Sequence, residues 1–250
     1  HTIQKGGLVA HAGEYLNTER GGFPNYEMVR ELKSQLENDN GTIFRYAHHE
    51  NTFLCMIHAQ LRTDSEPPAD QKELMTFIRR ITRPERNNTQ QWSSARCMVD
   101  MLELVKSYCY LPFTNGSNSL KDVLPAILNS STALQAKYSK PIYGAEGGIE
   151  SHNFKDWQWA RKENGRAIDP YKLLPRMFDD ATEKTQELIS DESELREASA
   201  AMIAYARAQY EEMSEYEREQ LFQALRKYCE LDTLAMVMLY EGWMDLIGSN

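Results

Sequence analysis

The sequence lacks the patterns that identify several common classes of protein. No apolar run is long enough to span a bilayer, and the stretch His1–Gly7 contains no apolar segment of the kind that signal peptides carry. The four cysteines are widely spaced and include no Cys-x-x-Cys pair, which argues against a disulfide scaffold and a cysteine zinc site. We therefore expect a cytoplasmic protein that does not bind membranes.

Motifs of nucleotide-binding and hydrolytic folds are also absent. The chain has no Gly-x-Gly-x-x-Gly, no phosphate-binding loop and no Gly-x-Ser-x-Gly, so dinucleotide binding, triphosphate binding and serine hydrolysis have no support. The cluster His48-His49-Glu50 does not continue as a zinc-protease helix, because Phe53 occupies the required histidine position and His58 is out of register.

The formal net charge of −9 argues against a protein that coats DNA irrespective of its sequence. A nuclease stays compatible with this charge, because a metal site needs carboxylates. Basic residues are nevertheless concentrated in one stretch, where they are an interface for nucleic acid or an ordinary solvated surface. These residues are Arg79, Arg80, Arg83, Arg86 and Arg96.

Short strand patterns alternate with helical patterns over the first half of the chain. With 250 residues, the chain can form one large domain or one domain with an insertion. The alternation predicts an α/β fold in which a mixed sheet is flanked by helices. The predicted strands lie within Leu8–Leu16, Thr42–Tyr46 and Cys97–Asp100, and the predicted helices cover Tyr26–Glu37, Glu50 to about Leu61, Pro67–Ile81, Met101–Tyr108 and Leu120–Leu128.

The segment from about 139 to 180 is rich in glycine and proline, shows no sustained period, and predicts a turn-rich insertion. Its aromatic residues stack on single-stranded bases or form a small core of their own; they are Tyr143, Trp157, Trp159 and Tyr171. The end of the chain is predicted to be helical. It contains an alanine-rich helix over Glu194–Tyr210, a capping box at Ser214 and Glu217, and a helical pattern up to Ile247.

Tyr228 and Asp232 lie four residues apart in this last helical pattern and share one face. A carboxylate one turn from a phenol can bind a divalent metal ion while the phenol orients an attacking water. The apolar residues on both sides predict that Asp232 faces the sheet. An exposed helix pair without a chemical role is the alternative.

The spacing of the acidic residues resembles that of the DEDD exonucleases. Glu50 follows a predicted strand and begins a helix, as the second acidic motif of those enzymes does. Asp100 ends a later strand, and Ser119–Leu124 resembles the helix that follows it. The pattern Tyr228-x-x-x-Asp232 is similar to their third motif in its tyrosine form.

More closely, four stretches resemble a bacterial family of domains of unknown function with a ribonuclease H-like fold. The resemblance implies a single domain over residues 1–250, with the insertion at about 139–180, a mixed sheet flanked by helices, and a helical C-terminus. It also implies that the first strand, which carries an Asp-x-Glu pair, lies upstream of His1 or has been lost. The four stretches are Gly41–Leu54, Asp100–Leu128, Lys140–Pro175 and Arg226–Tyr240.

The same resemblance implies a metal-dependent 3′–5′ exonuclease that acts on single-stranded nucleic acid with two Mg²⁺ or Mn²⁺ ions. Glu50 stands where these enzymes usually have Asp, and Asp100 has the alternative role of capping the next helix. The implied catalytic residues are Tyr228, Asp232 and Glu50, and the implied metal ligands are Asp232, Glu50 and Asp100. The candidate substrate-binding residues are Arg79 and Arg80, because of their charge, and His49, which lies next to the proposed metal site and has a structural role as the alternative.

A catalytically silent module with a ribonuclease H-like fold is the alternative function. Such a module binds nucleic acid or a protein partner without metal. An Asp-x-Glu pair on an apolar strand upstream of His1 would favour the enzyme, and its absence would favour the silent module.

Overall fold

A computed structural model of the chain describes residues 1–86, 88–114, 116–175 and 198–248. The described residues form a mixed α/β structure with short strands. They fall into two compact units. Unit 1 comprises residues 1–22 together with residues 111–250, and unit 2 comprises residues 23–110.

The elements follow one another in chain order. The strands and helices of the first 110 residues are β1 (Thr2–Ile3), β2 (Val9–Ala10), α1 (Asn25–Leu36), β3 (Phe44–Arg45), α2 (His49–Thr63), α3 (Gln71–Ile81), β4 (Val99–Asp100) and α4 (Met101–Tyr108). Those that follow are α5 (Leu120–Ser130), α6 (Thr132–Tyr138), β5 (Lys162–Glu163), β6 (Arg166–Ala167), a 3₁₀ turn (Pro170–Leu173), α7 (Ala198–Tyr210) and α8 (Glu215–Gly248).

Unit 2 is built on three helices that bury their apolar faces together. On α3, apolar residues recur at intervals of three and four residues, which places them on one side of the helix. Each large apolar side chain buried in this way contributes about 1.5–3 kcal/mol. The cluster consists of Val29, Leu54, Ile57, Leu61, Leu74, Phe77, Ile78 and Ile81.

The strands β3 and β4 of unit 2 pair in parallel, with Phe44 opposite Val99 and Arg45 opposite Asp100. A helix begins at or soon after the end of each strand, α2 after β3 and α4 after β4. The carboxyl ends of the two strands, and the amino ends of the two helices, therefore lie at the same edge.

Unit 1 is organised by the long helix α8, which packs against α5, α6 and α7. At Gly242 the helix has no side chain, and a Cβ atom there would overlap with the side chains of Ile127 and Leu134. The start of α8 has the predicted capping box: the backbone N–H of Ser214 donates to Glu217 at 2.8 Å, and the backbone N–H of Glu217 donates to Ser214 at 3.2 Å.

The remaining strands of unit 1 are short. β1 pairs with β2 and β5 pairs with β6, both antiparallel. Single bridges add Ala10 opposite Glu150 and join Tyr143 to Ile149 and to Trp157. Tyr143, Trp159 and Tyr171 are buried, so these aromatic side chains belong to the core of the unit and are not exposed for stacking on bases.

Several predicted elements coincide with the observed ones, and the helix Met101–Tyr108 does so at both ends. The strand predicted within Leu8–Leu16 is much shorter and covers Val9–Ala10. In the described residues, the strands form three separate pairs; the single domain and the continuous ribonuclease H-like sheet stay predictions. Residues 176–180 of the predicted insertion and residues 194–197 of a predicted helix lie outside the described residues.

Among the helices that the structure describes, none combines the length and the apolar composition that crossing a membrane requires.

Candidate functional site

Asp100 lies at the carboxyl end of β4 and caps helix α4. Its Oδ1 atom accepts hydrogen bonds from the backbone N–H groups of Leu102 at 3.0 Å and Ala47 at 3.1 Å. Its Oδ2 atom lies 3.0 Å from Nη1 of Arg45, and both of these side chains are largely buried. Asp100 therefore caps α4, and it also forms an ion pair with Arg45 at the end of β3.

The backbone beside Asp100 is strained at Ala47. This residue has φ of 73°, in the left-handed region that a residue with a Cβ atom rarely occupies. Both of its backbone polar groups are held, because Asp100 accepts from its N–H and Arg45 donates to its carbonyl oxygen. Such strain is often found where a chain must present particular side chains.

Glu50 lies in the first turn of α2, directly after this strained segment. Its side chain is exposed at the surface, but its surroundings still raise the pKa of the carboxyl group through partial desolvation, with a further contribution from the negative charge of Asp100. A backbone hydrogen bond and the charges of Arg45 and His49 act in the opposite direction. The negative charge of Asp100 therefore reaches the carboxyl group of Glu50.

His49, which was predicted to contact substrate, is exposed at the first position of α2 and stacks on His48 with ring centroids 4.4 Å apart. The two predicted substrate-binding arginines already have partners. Arg79 donates to Nε2 of the buried His58 at 2.9 Å, and Arg80 donates to Asn40 at 2.8 Å. Within unit 2, the structure therefore brings Glu50, His49 and Asp100 to one edge and places the arginines on α3.

Tyr228 and Asp232 lie on α8 in unit 1. Tyr228 is buried, and its ring centroid lies 5.8 Å from that of Tyr171. The hydroxyl group of Tyr171 donates to Oδ1 of Asp232, and burial together with the charge of Asp232 raises the pKa of Tyr171. The ammonium group of Lys121 lies over both tyrosine rings, 5.1 Å from that of Tyr171 and 5.6 Å from that of Tyr228.

The arrangement around Asp232 can hold a negative charge. The phenol of Tyr171 donates to Asp232, and the ammonium group of Lys121 lies over the ring of Tyr171. A second phenol, that of Tyr228, lies one helical turn before Asp232. The sequence predicted that Tyr228 and Asp232 share one face of a helix, but it did not predict the parts that Tyr171 and Lys121 play here. No periodic pattern signals these two residues, because they come from other elements of unit 1.

Sequence reasoning also missed Glu230, which is the most completely buried carboxylate among the described residues. Its Oε1 atom accepts from the hydroxyl groups of Tyr143 and Ser151, each at 2.5 Å, and its Oε2 atom accepts from Asn153 at 2.7 Å. Nδ1 of His11 lies 3.1 Å from Oε1. We name these five residues the Glu230 network.

The charge of Glu230 is stabilised inside the unit. Burial by itself would raise the pKa of this carboxyl group, but the hydrogen bonds from His11, Ser151, Tyr143 and Asn153 outweigh it and lower the pKa to about 2. Glu230 is therefore an ionised side chain with fixed partners. The only sequence signal for it was a charged residue inside an apolar stretch of helix.

Comparison with known proteins places the first part of the chain near one family. Residues 1–119 match the model of a family described as a domain of unknown function (DUF2779). The match covers Glu50 and Asp100 and does not extend to Tyr228 and Asp232. Searches of the curated proteins and of the solved structures found no match.

Proposed function

We propose that the protein is a metal-dependent nuclease with a ribonuclease H-like fold, which removes nucleotides from the 3′ end of single-stranded nucleic acid. The observation that carries this proposal is the position of Glu50 and Asp100. Both lie at or just beyond the carboxyl ends of the parallel strands β3 and β4, which is the edge where open α/β sheets bind their ligands.

The side chains present fit a hard divalent cation to different degrees. Glu50 is exposed, and carboxylate oxygen is the ligand type that Mg²⁺ and Mn²⁺ prefer. Asp232 offers a second carboxylate, of which Oδ1 already accepts from Tyr171. Asp100 fits less well, because two backbone N–H groups and Arg45 already occupy its oxygens.

The resemblance implies that Glu50 and Asp232 are metal ligands, and bound cations would supply activation of water and stabilisation of the leaving oxygen. The residues of the chain have their own parts in this proposal. Tyr228 would orient the attacking water through its phenol, and Tyr171 holds the Asp232 carboxylate in place. His49, Arg79 and Arg80 would contact the phosphate backbone.

The test is a cleavage assay of the full-length protein on end-labelled single-stranded DNA and RNA, with Mg²⁺ or Mn²⁺. Replacement Asp232→Asn is expected to lower the cleavage rate at least about 100-fold, because a lost metal ligand removes several kcal/mol of transition-state stabilisation. Glu215→Gln, which changes an exposed carboxylate on the same helix, is the matched control. Equal rates for the wild type and Asp232→Asn would contradict the proposal.

A catalytically silent module is the second candidate, and the engagement of Asp100 favours it. A carboxylate that already caps a helix and pairs with an arginine has a structural role that needs no metal. This candidate predicts no cleavage with any divalent cation. It also predicts that binding to single-stranded nucleic acid survives chelation of metal and the change Asp232→Asn.

A further inference from the structure

Two histidines and a glutamate of unit 1 converge beside the Glu230 network. The potential ligand atoms of His11, Glu14 and His152 all lie within 4.8 Å of one another. His11 is buried, whereas Glu14 and His152 are exposed. Within the part of the chain that the structure describes, this is the one such group of histidine, cysteine and carboxylate side chains.

The backbone brings these residues together from distant parts of the sequence. Ala10, at the end of β2, bridges to Glu150, and the backbone N–H of His11 donates to the carbonyl oxygen of Glu150 at 3.1 Å. This pairing places His11 beside His152, and the two ring centroids are 4.4 Å apart. Main-chain pairing therefore holds His11 beside the segment that carries His152.

Glu230 orients the buried histidine. Nδ1 of His11 lies 3.1 Å from Glu230, and the backbone N–H of His152 lies 3.4 Å from the same nitrogen. We assign the proton to Nδ1, because the carboxylate is the closer partner and needs a donor. The Nε2 atom then carries the lone pair, and no residue in the described ranges forms a hydrogen bond with it.

Glu14 is held by the same network from the other side. The side-chain amide of Asn153 donates to Glu14 at 2.6 Å and to Glu230 at 2.7 Å, so one amide links the two carboxylates. Arg226 lies 3.8 Å from Glu14, at the outer edge of an ion pair. One oxygen of Glu14 therefore lies beside Asn153 and the other lies near Arg226, and the side chain as a whole is exposed.

We propose that His11, Glu14 and His152 bind a zinc ion, with Glu230 and Asn153 holding the ligands in place. Two imidazoles and one carboxylate are a ligand set that zinc takes with tetrahedral geometry, and three protein ligands leave one position for water or a small molecule. A carboxylate that holds the far nitrogen of a metal-binding histidine is a recurrent part of such sites.

The required movement is small. Tetrahedral zinc with bonds of about 2.0–2.1 Å needs ligand atoms about 3.3 Å apart. In this proposal the exposed side chains of Glu14 and His152 rotate to close the remaining gap from 4.8 Å, while the buried His11 stays where Glu230 holds it. This inference does not depend on the nuclease proposal, because it concerns other side chains and another class of cation.

The test is calorimetric titration of zinc into protein that has been freed of metal by chelation, in buffer that contains millimolar Mg²⁺. We expect one zinc ion per chain with a dissociation constant below about 1 μM, and a rise of at least about 100-fold in that constant for His152→Ala and for Glu14→Gln. Both residues are exposed, so neither change should unfold the protein. His48→Ala, which removes an exposed histidine of unit 2, is the matched control.

Spectroscopy gives an independent measurement. Replacement of zinc by Co²⁺ should give the strong visible absorption of a tetrahedral site, and the His152→Ala variant should lose it. Absence of tight zinc binding, or binding that is unchanged in both His152→Ala and Glu14→Gln, would overturn the assignment. Weakening by His48→Ala alone would place the zinc elsewhere and would also overturn it.

Discussion

The core of unit 2 is an apolar cluster shared by three helices, whereas the interior of unit 1 contains an ionised carboxylate. In unit 2, apolar residues that recur along each helix meet at one centre. In unit 1, Glu230 is stabilised by donors that come from three separate segments of the chain. The difference shows that an apolar core can be recognised from the spacing of residues within each helix. The partners of a buried carboxylate cannot be recognised in this way, because the fold brings them together from distant parts of the sequence.

The two units also differ in the groups that stabilise a carboxylate, Asp100 in unit 2 and Glu230 in unit 1. Asp100 in unit 2 is balanced by a full positive charge, that of Arg45, and by backbone N–H groups. The donors around Glu230 are instead two hydroxyl groups, an amide and an imidazole. A buried charge surrounded by such donors depends on every one of them, because each removed donor leaves the charge less solvated.

The largest expected effect on stability follows from removal of the Glu230 carboxylate in unit 1. Glu230→Ala should lower the free energy of unfolding by about 3–5 kcal/mol, since the buried hydroxyl group of Tyr143 and the partly buried donors of Ser151 and Asn153 lose their acceptor. Urea unfolding followed by tryptophan fluorescence measures this loss. Glu215→Ala, at an exposed position of the same helix, should change the stability by about 0.5 kcal/mol or less.

A loss below about 1 kcal/mol for Glu230→Ala would break the comparison, because the interior of unit 1 would then not depend on its carboxylate. Glu230→Gln sharpens the comparison. This variant keeps one acceptor oxygen, so its free energy of unfolding should lie between that of the wild type and that of Glu230→Ala.

An intermediate effect is expected in unit 2 on acidification. Burial, together with the positive charges of Arg79 and Arg62, lowers the pKa of His58 to about 4, from an ordinary value near 6.5. The unfolded chain then binds a proton more readily than the folded one between about pH 6.5 and pH 4. The contribution of neutral His58 is fully present above pH 6.5 and is lost as the pH falls through this window, by up to about 3 kcal/mol.

Nuclear magnetic resonance of the His58 ring measures the pKa directly, and urea unfolding at several pH values measures the stability. The variant His58→Phe should lose most of the pH dependence in this window. A ring that titrates near pH 6.5 in the folded protein would contradict the prediction, since it would show that the Arg79 hydrogen bond does not keep His58 neutral.

The smallest effect is expected at the surface of unit 2. Arg30 forms two hydrogen bonds with Asp70, at 2.8 Å and 2.9 Å, and these lower the pKa of Asp70. Because the pair is partly exposed, Asp70→Asn should cost only about 0.2–1 kcal/mol. The cost should shrink further in molar salt. A loss of stability as large as that of Glu230→Ala would contradict the distinction between the buried carboxylate of unit 1 and this surface ion pair of unit 2.

The helices were the most predictable part of the fold. The apolar residues that recur along one side of α3 and the capping box at Ser214 and Glu217 are local patterns, and the structure contains both. The short strands were less predictable, because β2 covers two residues where the sequence suggested up to nine. Strand length depends on pairing partners, and those partners lie far away in the sequence.

The candidate sites show the same limit. Spacing alone predicted that Tyr228 and Asp232 share a face, and the sequence allowed Asp100 to be a helix cap, which it is. It gave no sign that Tyr171 would donate to Asp232 or that His11 would meet His152. Those contacts follow from the course of the backbone between residues 139 and 175, where no periodic pattern constrains the chain.

During synthesis on the ribosome, unit 2 is complete well before unit 1, because its residues 23–110 are continuous and those of unit 1 are not. At about 5–20 residues per second, roughly 6–24 s separate the appearance of Tyr110 from that of Glu230. For that interval His11 exists without the carboxylate that orients it. The first 22 residues must therefore wait until the helix that carries Glu230 has been synthesised, and unit 2 has time to fold in between.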